Sequence, residues 1–174
     1  MAVADFDSAL LAQEIFHASN AARSQQGLAP LAREPRLVAA ADGQAAMLAL
    51  RVHTGHGSPL LGRGDPTARV EQAGLGPGAV AENAATLDAR KPDQGGAYTY
   101  AELAGVIVQA WLDSPGHRAN LLNPAFHFLG CGTRIAWVLQ GEPVIYAVQD
   151  FYAPARISEP PPPSIQPSGP NLTR

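Results

Sequence analysis

The chain has 174 residues, a formal net charge of −3, 46% hydrophobic residues and 6% aromatic residues. That length fits one domain able to bury about two thirds of the surface its unfolded form exposes. The small negative charge, with arginines scattered singly, excludes a nucleic-acid surface of the usual basic kind. Alanine supplies much of the apolar content, which favours helices packed through small residues over an aromatic-rich β-sandwich. The single cysteine, Cys131, cannot close an intramolecular disulfide, so packing must hold the fold.

Met1 to Asp5 shows no basic segment leading into an apolar one, and no window approaches 18 consecutive apolar residues. No export or membrane segment is therefore expected within the chain. Leu11, Ile15, Ala18 and Ala22 recur at helical spacing behind Asp5 and Asp7, and Gly27 is a natural stop. A second helix is expected from Pro35, with the stripe Leu37, Ala41, Ala45, Leu48 and Val52 on one face. It delivers His53 at its C-terminal end, where the helix dipole favours a cation.

Gly55 to Gly64 reads as loop, and Asp65-Pro66 opens a short helix that Gly74 closes. The stretch carrying Glu82 lies between the loops Gly76–Gly78 and Asp88–Gly96. Thr99 and Glu102 form a capping box for an apolar helix that runs to Trp111 and Leu112 and stops at Ser114-Pro115-Gly116. Ser114 reads as the N-cap of the next turn, which presents His117 and Arg118 to a cleft. Phe128 to Leu139 and Val144 to Phe151 read as an antiparallel hairpin turning at Gln140-Gly141-Glu142. From Pro154 onward, 7 of the 16 prolines fall in the last 21 residues, so 1–153 is read as the domain and 154–174 as an extended proline-rich tail.

Three separated loops thus offer His53, Glu82 and His117, the makings of a metal or acid/base site. His56 rivals His53 for the first position, His127 reads as a surface or loop residue, and His17 on the first helix as making a helix-face hydrogen bond. Cys131 on an inner strand reads as a small buried hydrophobe. Ser114 and His117 could suggest a nucleophile and its base, but no nucleophile-elbow signature accompanies them. Arg63-Gly64-Asp65 and the sequon at Asn171 are short enough to arise by chance.

Taken in order, several motifs resemble the CAP superfamily of cysteine-rich secretory proteins, antigen five and pathogenesis-related class one proteins, in its short bacterial branch. They are Asn20-Ala21-Ala22-Arg23, His53-Thr54-Gly55, Asp65 to Gly74, Ala81-Glu82-Asn83, Trp111 to Leu122, Gly130-Cys131-Gly132 and Gln149-Asp150-Phe151. The resemblance spans residues 6 to 153. It implies an α+β fold, a three-layer α/β/α sandwich with a central antiparallel sheet and an open cleft.

Carried over to this chain, the resemblance makes His53 and His117 the cleft histidines, able to hold zinc or a similar divalent cation, and Glu82 the first cleft acid. Asn83, Ser114 and Arg118 complete the expected cleft. The family's second acid falls at Ser114, and Ala81 stands where a glycine usually precedes Glu-Asn. The resemblance implies a secreted or cell-envelope binding domain for a small apolar or lipid-like ligand or a protein partner. A metal-assisted hydrolase with Glu82 as general base, and a structural or adhesion module, are the competing readings.

Overall fold

A computed structural model describes residues 6–51, 64–90, 98–137 and 143–155. His53, His56, Arg63 and the tail beyond residue 155 lie outside the described residues. In chain order the elements are α1 (Ser8–Gln25), β1 (Ala32–Arg33), α2 (Pro35–Arg51), α3 (Pro66–Gln72), β2 (Gly78–Asp88), α4 (Tyr100–Asp113), α5 (Pro115–Leu121), β3 (Phe128–Trp137) and β4 (Pro143–Pro154).

The helices start and stop where the sequence marks them. The Asp7 carboxylate accepts the Leu10 N–H, the Asp65 carboxylate accepts the Ala68 N–H, and Thr99 and Glu102 close the expected capping box on α4. Gly27, at φ 70°, ends α1 in a conformation that side chains rarely adopt. Ser114 holds the N-cap position of α5, but its hydroxyl makes no capping bond. Instead the Arg118 N–H donates to the Ser114 carbonyl at 2.8 Å, within the first turn.

The sheet order is β1-β3-β4-β2, with β2, β4 and β3 antiparallel and β1 joined to β3 in parallel. This extends the expected all-antiparallel sheet by a two-residue parallel edge, which is too short to leave a period-2 signal. The Glu82 stretch is not a loop: it is an eleven-residue strand paired along its whole length with β4. β4 itself runs to Pro154, which lies opposite Gly78.

Alternation along the strands divides the core. Odd-numbered residues of β4, such as Ile145, Ala147 and Phe151, join Leu11, Ile15, Leu103, Ile107 and Trp111 from α1 and α4. Even-numbered Val144, Tyr146, Val148 and Tyr152 pack against α2 and α3 through Ala41, Ala45, Leu48, Leu37 and Val70. Two helical layers therefore sandwich one sheet, the α+β architecture that the resemblance implies.

The α2 layer sits unusually close to β3. A Cβ on Gly130 would lie 2.2 Å from the Leu37 carbonyl carbon, and one on Gly132 would lie 2.2 Å from the Asp42 nitrogen. Only glycine admits helix backbone at that distance.

Candidate functional site

β2 places Glu82 and Asn83 side by side, and the strand alternation sends their side chains to opposite faces. Val80 and Ala84 share the parity of Glu82 and pack in the α2 and α3 layer, whereas Ala81 and Ala85 join the α1 and α4 layer with Asn83. One dipeptide therefore joins the site to both layers.

On the first face Glu82 is buried and forms a salt bridge with Arg69 of α3, whose side chain is equally enclosed. Asp150 stands directly opposite Glu82 on β4 and is 0% exposed. Neither Asp150 carboxyl oxygen has a well-formed hydrogen bond among the described residues. Burial first, and the Glu82 charge second, push the Asp150 carboxyl well above the usual carboxylate range, with Arg69 opposing. Two acids thus share one guanidinium, and Asp150 is the more enclosed of the two.

On the second face a chain of amides links α5 to α1. Asn83 Nδ2 donates to the His117 carbonyl at 3.1 Å and to Gln149 Oε1 at 3.3 Å. Asn120 Nδ2 donates to Asn83 Oδ1 at 3.0 Å and to the Glu82 carbonyl at 3.2 Å. Gln149 in turn donates to the Ser19 hydroxyl, which donates to the Ile15 carbonyl at 2.6 Å. These bonds fix α5, and with it the backbone of His117, against β2 beside Glu82.

The expected site residues thus divide. Glu82, Asn83 and His117 are neighbours through the β2 and α5 contact, and half-buried Ser114 begins that helix. Arg118 turns back, its Nε donating to the Leu112 carbonyl at the end of α4. His53 and His56 lie outside the described residues. Among the described residues no three His, Cys, Asp or Glu side chains gather as for a metal ion. Of the side chains considered as donors, Glu82 and His117 are described, and Glu82 is engaged by Arg69. Cys131 is buried on β3, and burial pushes its thiol up, consistent with a packing role.

Arg69 and Asp150 are site residues that the sequence reading passes over, although both lie inside quoted motifs. Their signal is register: once β2 is a strand, position 150 falls opposite position 82. The alanines at 79, 81, 84 and 85 hide that strand.

The model of the CAP family, described as the cysteine-rich secretory protein family, matches residues 16–151. The chain belongs to the CAP family. It is 28% identical over 120 residues to the uncharacterized protein YkwD of Bacillus subtilis (strain 168), covering 69% of this chain and 41% of that protein. Among solved structures it resembles an extracellular protein containing an SCP domain from Bacillus anthracis, with 28% identity and a TM-score of 0.61 over 84% of this chain and 41% of the other. An outer surface protein of Borrelia burgdorferi shares the fold at 17% identity and a TM-score of 0.64, covering 86% of this chain and 97% of the other. This chain spans about two fifths of the length of YkwD and of the Bacillus anthracis protein. Among the described residues no helix is long and apolar enough to cross a membrane.

Proposed function

We propose that the chain acts outside the cytoplasm, secreted or at the cell envelope, as a binding module and not as a hydrolase. In this reading the cleft beside β2 and α5 takes a divalent cation through His53 and His117 and a small apolar or lipid-like ligand. The observation that carries it is the buried Arg69–Glu82 pair. A general base must present an open carboxylate to water, and Glu82 is instead enclosed and tied to a guanidinium. The extracellular and outer-surface descriptions of the fold neighbours support the compartment.

Metal analysis of the purified protein and of His117→Ala tests the cation: bound metal is expected in the parent and lost in the variant. Solvent extraction with mass spectrometry tests the ligand. Metal-dependent turnover of peptide or ester substrates that disappears in Glu82→Gln would instead establish the hydrolase.

A further inference from the structure

β1 covers only the start of β3. The Ala32 N–H donates to the His127 carbonyl at 2.9 Å and the Glu34 N–H to the Leu129 carbonyl at 3.2 Å, after which the chain turns into α2. These two bonds fix which residues of β3 aim their main-chain groups away from β4. They are 129 and, by strand alternation, 131, 133 and 135, whereas His127, just before the strand, turns its carbonyl to β1 and donates its N–H to the Tyr152 carbonyl of β4 at 3.1 Å. The Thr133 carbonyl confirms the direction by accepting Arg134 Nη1 at 2.9 Å. Among the described residues no strand runs beside this part of β3.

The open edge is the floor of a slot of about 1180 Å³ between α1 and α2. Phe6, Leu10 and Phe16 form one wall and Val38 lies on the other, with Leu10 38% exposed. At one end Arg33 and His17 face the slot, and among the described residues neither has a hydrogen-bond or ion-pair partner. At the other end Arg134 pairs with Asp42, its Nη2 donating at 2.6 Å. The helical part of the wall, from Ser8 to His17, is about 14 Å long at 1.5 Å per helical residue. An extended chain of about four residues matches that length.

We propose that this slot docks an extended acidic segment of a partner protein, which adds a strand to β3 where β1 leaves off. Main-chain groups of Cys131 and Ile135 supply the ladder, alternate apolar side chains meet Phe6, Leu10 and Phe16, and a carboxylate meets Arg33 and His17. The recess favours a single segment over a second copy of the domain, whose edge strand would have to enter between two helices. The proposal is independent of the His117 cleft.

Fluorescence polarisation with labelled six-residue peptides tests it, using alternating β-branched and polar residues with a glutamate at one end or the other. Saturable binding is expected, weakened about tenfold or more by Arg33→Glu, abolished by N-methylation of alternate peptide amides, and unaltered by His117→Ala. Binding indifferent to N-methylation, or retained in Arg33→Glu, overturns the proposal. So does the absence of saturable binding across the panel, or a concentration-dependent dimer that occupies the β3 edge instead.

Discussion

A carboxylate that leaves water needs donors in exchange, and Glu82 finds one in the Arg69 guanidinium while Asp150, across the strand pair, finds none that is well formed. Asp150 therefore binds a proton more firmly in the folded chain than in the unfolded one, and its contribution to stability falls as pH rises. The fall begins near the ordinary carboxylate value of about 3.9 and continues up to the raised native value. Asp150→Asn, which has no proton to lose, should melt above the parent at about pH 8, with the gap closing toward about pH 4; thermal melts across that range check it. Arg23 is another enclosed charge, 1% exposed, and among the described residues it is met by carbonyls: Nε donates to Ala29 at 3.0 Å, and Nη1 to Leu121 at 2.8 Å and Asn123 at 2.9 Å. Burial lowers its pKa. Arg23→Met strands those acceptors and should cost roughly 3 kcal/mol in chemical denaturation. Arg23 was legible as part of Asn20-Ala21-Ala22-Arg23, but its role as the tie between α1 and the exit of α5 depends on partners about a hundred positions away.

The helices were legible because each has both a stripe and a punctuation mark. Leu37, Ala41, Ala45 and Leu48 are buried along α2 as the periodicity requires, and Thr99 with Glu102 opens α4. β2 was not legible, because its alanines have little strand preference and its extended form comes from pairing with β4. With the strand went the partnership of Glu82 with Asp150, so the sequence offered one acid where the fold has two. Close approach between elements is equally invisible in a pattern: Gly130-Cys131-Gly132 reads only as part of a strand, yet its glycines are where α2 rests on β3. Gly132→Ala should destabilise by about 1–3 kcal/mol, and Gly105→Ala on α4, where an added Cβ meets nothing within 4 Å, serves as its control in the same denaturation series.

For the whole molecule, stability has to come from the two helical layers, since the lone thiol of Cys131 is enclosed. The thermal midpoint should be the same with and without reductant; a shift on adding dithiothreitol would show that a covalent link between chains contributes. The layers are not equivalent in what they do. The α1 and α4 side holds the larger apolar cluster, whereas the α2 and α3 side carries the buried Arg69–Glu82 ion pair. The family motifs announced the sandwich and the neighbourhood of Glu82 and His117, but they could not announce the slot beside β3, which exists because β1 stops after two residues.

The adjacency of Glu82 and Asn83 has one more consequence. Sliding β2 by a single position would carry the Glu82 carboxylate to the α1 and α4 face and leave the Arg69 cation opposite Ala81 or Asn83 in place of its acid. A misaligned pairing of β2 with β4 should therefore be disfavoured, so these two neighbours set the register of the strand.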